Sequence, residues 1–424
     1  MISIGIFLVI SQKTRDCDTF LGLLSQLYEQ LETISMADPL ELIDEDHLIE
    51  LAKTLLSIPS VTNREHEISD WIYEKFKSLG LTDVRRLPVK EAGDTIVGWI
   101  DGPEDGPKMM LNFHMDTFGV FEGWETDPFT PHVEGDRLYG LGSHDMKGGA
   151  ACLLGAVEAL VESGVELDGR VLVSATSDEE NWSRGAHELI GSGLLKDCRY
   201  CMVPEPTAPA TLTIGQRGRH VFHLTFHGKT VSAAYDSGVN AVVDAAKVVT
   251  VLADLEEEAL GYSEEFEMRG SLCVIGLHGG GTMILVPELA EVYIDRHILP
   301  GETAEDAAAQ IRSAVEEAGI RGSYELKWDE RPTPAPTSFI VPPDSLLVQT
   351  VKGNLERELG KPVGFILGRS VADTNHFVVH GGVPTIICGP SGGNTCEANE
   401  YVELSSLPVI ARTYVRSVID LLES

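Results

Sequence analysis

The sequence is poor in positive charge: 32 lysines and arginines stand against 66 acids in 424 residues, a net charge of -34. Phosphate backbones and anionic lipid surfaces are bound by clustered cations, so this balance argues against nucleic acid or membrane as a partner. Cysteine is sparse as well, with seven residues at no regular spacing. That excludes a disulfide framework and points to reduced thiols and a cytoplasmic protein. Cys198 and Cys201 lie in the apolar run "KDCRYCMVPEP", where core packing is expected rather than redox chemistry. Long apolar runs are also missing. The opening "MISIGIFLVI" is too short to span a bilayer and lacks the basic segment of a secretory signal. Residues 1–36 are read as an amphipathic or poorly ordered extension, with the functional chain expected to start near Met36.

What is present is the material of a large α/β protein. With 43% hydrophobic residues, the chain can build a substantial core and two domains. Short apolar strands alternate with amphipathic helices, and the strands "KMMLNFHMDTF", "GRVLVSATSDEE", "CRYCMVPEPT" and "GVPTIICGPSGG" each end in a polar or Gly-rich turn. Open α/β sheets place their sites at such carboxyl ends. From about Gly215 to Pro334 the order changes to strand, helix (Asn240 to about Leu260), two strands, helix (about Ala304 to Ala318) and strand. This is a β-α-β-β-α-β unit of ferredoxin-like type, inserted into the larger domain. The expected organisation is therefore a catalytic domain of residues 37–214 and 335–424 around an inserted domain of residues 215–334.

Three adjacent acids, Asp178, Glu179 and Glu180, close an apolar strand in "VSATSDEE". Like charges at the end of a buried element are costly unless a cation sits among them. Further donors occur at comparable strand ends. His114 and Asp116 in "NFHMDTF" are two residues apart and so share a face of a strand. Asp145 lies in the Gly-flanked "GLGSHDMKGG", and Glu205 stands between prolines in "VPEPT". One histidine with several carboxylates suits zinc, cobalt or manganese, and a pair of such ions would let the acids crowd together.

These segments resemble the co-catalytic zinc metallopeptidase and amidohydrolase family of acetylornithine deacetylase, succinyl-diaminopimelate desuccinylase, glutamate carboxypeptidase and aminoacylase. The similarity extends over nearly everything after residue 45, through "HMDTFGVFEGWETDPFTPHVEGDRLYGLGSHDMKGG", "SDEE", "PEPT", "GVNAV", "VPELAEVYIDRHILPGET" and "GGVPTIICGP…NEYV". It implies a large mixed-sheet, zinc-peptidase-like catalytic domain with an inserted lid or dimerisation domain. It further implies two zinc ions: His114 and Glu205 on one, Glu180 on the other, and Asp145 bridging them. Asp116 would orient His114, and Glu179 would be the general base. Arg296 would pair with a substrate carboxylate. The implied reaction is hydrolysis of an amide in a small N-acyl amino acid or dipeptide.

Three positions depart from the family pattern. Cys396 in "NTCEANEYV" replaces the usual last histidine ligand; it is read as a softer zinc ligand, as a small residue at a site without its metal, or as yielding that place to Glu397. Ser232 replaces the histidine that reaches into a partner subunit and stabilises the oxyanion, so a homodimer is no longer required for catalysis. Ile284 replaces an asparagine that contacts substrate. His376, or His220, His223 or His227, is a candidate substitute for the missing donor. A family member with non-hydrolytic chemistry (acyl transfer or amide formation) and a catalytically silent binding homologue are the alternatives these losses leave open.

Overall fold

The computed structural model describes residues 37–255, 260–281 and 283–423. The expected extension at residues 1–36 lies outside them. Among the described residues, two sheets organise the chain, each over its own apolar core.

The larger sheet has nine strands. In spatial order they run Thr82–Leu87, Thr95–Ile100, Arg170–Thr176, Lys108–His114, Cys198–Val203, Thr385–Ile387 and Thr211–Gln216, with Phe339–Ile340 and Gly364–Gly368 both paired to the last of these. Lys108–His114 lies parallel to both of its neighbours. These central strands read as continuous apolar runs because both of their faces are covered. In Arg170–Thr176 every residue after Arg170 is buried. The helix Gly148–Ser163 packs so deeply that nearly all of its residues are buried. Its second residue, Gly149, meets the neighbouring chain so closely that an added Cβ would lie 2.0 Å from the Pro204 carbonyl oxygen. Glycine there is what lets this helix start against the strand end that carries Glu205.

The chain leaves the large sheet at Gln216 and enters the smaller one at Gly218. Four antiparallel strands in the order Ser271–Gly279, Leu289–Ile298, Gly218–His227 and Ser323–Trp328 carry the helices Ala241–Ala253 and Ala304–Ala318. Numbered along the chain, the strand order is 2-3-1-4, as expected for the split β-α-β arrangement. Both helices begin at sequence-legible caps. The side chain of Asn240 accepts the Val242 and Val243 amides, and Thr303 forms a capping box with Asp306. The first helix ends at Ala253, short of the expected Leu260, because Asp254 already leaves helical geometry. Cys198 and Cys201 are buried free thiols in a strand, as the apolar run implied. Among the described residues, no helix is long and apolar enough to cross a membrane.

Candidate metal centre

His114 ends its strand in register with Thr176 on the parallel neighbour, so the chain beyond Thr176 reaches Asp178, Glu179 and Glu180 directly beside it. Glu205 follows the strand on the other side, two residues past Val203. Asp145 comes from the turn before the buried helix, where Gly142 holds φ +81. Cys396 is carried by the loop between the short strands Gly392–Gly393 and Tyr401–Glu403.

The His114 ring fixes the character of the site. Its Nδ1 lies 3.0 Å from the Asp116 carbonyl oxygen, which can only accept, so the proton sits on Nδ1. Nε2 faces Asp145 Oδ1 at 3.2 Å, Glu205 Oε1 at 3.6 Å and Glu179 Oε2 at 3.9 Å. Carboxylate oxygens ringing that nitrogen favour a positive charge there, either a second ring proton or, in its place, a metal cation. Donor atoms of His114, Asp145 and Glu180 all lie within 4.8 Å of one another, and Glu180 Oε1 is buried without a hydrogen-bond partner. The residues present therefore fit a divalent metal ion.

The electrostatics agree. Burial first, then neighbouring carboxylates, push Glu179 and Glu180 well above the ordinary carboxylate range, and Glu205 is pushed up to about 7 by burial and Asp145 against the pull of His114. Burial would lower the His114 pKa, but Glu205, Asp116 and Asp145 raise it well above the usual imidazole value. For Asp145, burial is outweighed by His114, so its pKa falls. Crowded acids that must otherwise hold protons are the mark of a site short of positive charge.

Several residues have roles the sequence did not reveal. The Asp116 carboxylate accepts the amides of Glu179 at 3.1 Å and Glu180 at 3.2 Å, so it orders the acidic loop, while its carbonyl holds His114. Asp178 turns away from its two neighbours at φ +61 and accepts two hydrogen bonds from the Arg184 guanidinium, at 2.6 and 2.9 Å, and one from the Arg184 amide at 3.2 Å. Glu400, 2% exposed, accepts the amides of Gly142, His144 and Asp145 at 2.7, 2.9 and 2.7 Å and thereby fixes the turn that presents Asp145. The "NEYV" motif marked its position but not this task.

Of the expected donors, the structure gathers His114, Asp145, Glu179, Glu180 and Glu205. Cys396 joins at the edge, its Sγ 3.5 Å from Asp145 Oδ2, with the thiol pKa raised by burial and by Asp145 and Glu180. Glu397 is exposed. Arg296 is elsewhere: it shares the helix-facing side of its strand with the buried Ala290, Val292, Ile294 and Ile298. Its guanidinium is taken up by Glu302 at 2.9 Å, by Gln310 and by the carbonyls of His297 and Leu260. It is a structural ion pair inside the small sheet's core, not a group offered to a ligand. Ser232 bridges to Leu285 and accepts the Ala234 amide at 3.4 Å, and Ile284 beside it is 74% exposed. His223 stacks on Tyr293, and His227 lies 3.9 Å from Glu325, both on the small sheet. His220 lies beside Phe222 on the same strand. His376 is buried in a group of three imidazoles with His187, 3.0 Å away, and His380.

The sequence profile of Peptidase family M20/M25/M40 matches residues 110–420. The chain belongs to this family. It is thus a metal-dependent amidohydrolase of the peptidase class, with the mixed α/β fold of that family. This M20 family member is 26% identical over 385 residues to the succinyl-diaminopimelate desuccinylase of Hydrogenovibrio crunogenus, covering 88% of this chain and 98% of that one. Its fold is similar to that of a tripeptidase from Staphylococcus aureus, with a TM-score of 0.73 at 22% identity, covering 89% and 98% of the two chains. A Bacillus subtilis protein described as a dinuclear metal-binding peptidase of family M20 aligns with a TM-score of 0.68 at 17% identity, covering 90% and 98%.

Proposed function

We propose that the protein hydrolyses the amide bond of a small N-acyl amino acid or dipeptide-like substrate at a centre of two zinc ions. The observation that carries this reading is the His114 Nε2 atom ringed by the carboxylates of Asp145, Glu179 and Glu205. His114, Asp145, Glu180 and Glu205 would hold the metal, with Cys396 as the atypical ligand beside Asp145. Bound there, metal supplies the positive charge that polarises a scissile carbonyl and makes water acidic enough to attack at neutral pH.

Glu179 is the general base. Its raised pKa suits a group that takes a proton from the attacking water and passes it to the leaving amine. Its backbone is fixed by Asp116, so its carboxylate stays at the centre rather than sampling solvent. A cavity of about 280 Å³ opens onto Asp145, Glu179, Glu180, Glu205 and Cys396, with Phe118 and Arg369 also on its walls. That volume suits a small acylated amino acid and excludes a folded protein. The exposed Tyr235, Met283 and Ile284, at 69%, 89% and 74%, support a homodimer joined through the small sheet. Reduced cysteines and the acidic surface support a cytoplasmic location.

The test is a panel of N-acyl amino acids and dipeptides incubated in oxygen-18 water. Solvent oxygen in the released carboxylate of at least one substrate supports hydrolysis. Release of amine without label would point to acyl transfer, and no turnover with metal fully bound would defeat the reading.

A further inference from the structure

A second, smaller chamber of about 70 Å³ adjoins the cavity of the metal centre, and Phe118, Glu179, Glu180 and Ser370 line both. Its remaining wall includes Arg219, Arg331 and His376. Arg331 stands out in so acidic a chain. With 66 acids to 32 lysines and arginines, a half-buried guanidinium would be expected to find a carboxylate. Among the described residues it has no hydrogen bond or ion pair, and its Nε is buried without a partner.

The segment that carries it is nevertheless anchored on both sides. The segment that returns from the small sheet is tied at one side by the Asp329 amide to the Val221 carbonyl at 2.9 Å. On the other side, the Thr333 hydroxyl donates to the Trp182 carbonyl. Between these anchors the guanidinium lies over the Trp182 ring, 4.8 Å from its centroid. With no protein acceptor taking its N–H groups among the described residues, the guanidinium keeps its hydrogen-bonding capacity for an anion, which it would recognise through paired hydrogen bonds. Trp182 is two residues beyond Glu180, so the arginine packs against the loop that carries Glu179 and Glu180 into both chambers. Arg219 has a counter-ion in Asp295, at 2.6 Å, and adds a second, already compensated positive group.

We propose that this chamber is an anion subsite in which Arg331, backed by Arg219, binds a carboxylate of the substrate while the scissile amide occupies the neighbouring metal centre. The assignment deepens the amidohydrolase reading and rests on it for the word substrate. It supplies the carboxylate-reading group in place of Arg296. A carboxylate entering beside Glu179 and Glu180 would be repelled without such a cation, so Arg331 also selects against neutral analogues.

The test is calorimetric titration of zinc-supplemented protein with butyrate and with the dicarboxylates from malonate to adipate. One carboxylate of each is available to the metal centre, and the second probes the chamber. Wild type is expected to bind at least one dicarboxylate about tenfold tighter than butyrate. Arg331→Met should abolish that gain and leave butyrate binding unchanged, which also reports an intact fold; Arg331→Lys should keep part of it. No gain for any dicarboxylate in wild type, or a gain that persists in Arg331→Met, would overturn the assignment. This result does not depend on turnover, so failure of the hydrolysis assay is read separately.

Discussion

At the strand ends of the large sheet, acids crowd together with too few positive partners; inside the small sheet's core, a single charge is buried with its donors satisfied. Around His114, four acids converge and at least one carboxylate oxygen, Glu180 Oε1, has no hydrogen bond. Arg296, by contrast, is fully buried and held by Glu302, Gln310 and two carbonyls. The difference separates binding from structure. An uncompensated charge awaits a ligand, and a compensated one holds the protein together.

The largest expected effect lies on the uncompensated side. Glu179→Ala should lower kcat by about a hundredfold to ten-thousandfold on any substrate found, with bound metal per chain unchanged, as read by steady-state kinetics beside elemental analysis. A loss of metal in this variant would make Glu179 a ligand rather than the base. On the compensated side, Arg296→Ala should cost about 3 kcal/mol of stability because it strands Glu302 in a largely buried place. Denaturant unfolding measures this, and KM of the surviving enzyme should stay within about twofold of wild type. A large rise in KM at unchanged stability would return Arg296 to the substrate site.

The same comparison shows what the sequence made legible. The strand ends were readable because parallel neighbours in register bring "NFHMD", "TSDEE" and "VPEP" to one edge, whatever lies between them in the chain. Arg296 was misplaced because side chains alternate along a strand. "LAEVYIDRHI" places Ala290, Val292, Ile294 and Arg296 on one face, and that period shows Arg296 pointing under the helices. The family motif named the residue, whereas the alternation determined its direction. Asp178 belonged to an acidic triplet whose members diverge only once the turn is formed. Arg331 was invisible for another reason: its neighbour Trp182 is about 150 positions away, and only the packing of the return segment joins them.

Two smaller effects sharpen the contrast. Glu400 serves the metal centre through backbone amides alone, so Glu400→Ala should weaken metal binding about tenfold to a hundredfold without removing any ligand, as competition with a chromophoric chelator would show. Metal affinity equal to wild type would confine Glu400 to a structural role.

In the imidazole group of His187, His376 and His380, the buried His376 and the half-buried His187 are held neutral. Burial first, then the neighbouring histidines and Arg331, hold His376 down at about 3 and His187 at about 4. The unfolded chain takes up protons on both below about pH 6.5 while the folded one does not. Their contribution to stability is therefore lost as pH falls from about 6.5 toward 4. His376→Gln should lose roughly 1 kcal/mol less than wild type between pH 7 and pH 5, as read from unfolding curves at the two values. An identical pH dependence in the two proteins would show that this histidine is protonated in the folded state as readily as in the unfolded one.

The central claim is that the uncompensated carboxylates exist to hold metal, and metal content per chain tests it most directly. Elemental mass spectrometry on protein purified without chelators, with Glu180→Ala and Cys396→Ala beside it, should find about two zinc ions in wild type and about one in each variant. Wild-type protein with little or no metal, unaltered by added zinc, would contradict the account and leave the acidic cluster as a binding surface without a catalytic centre.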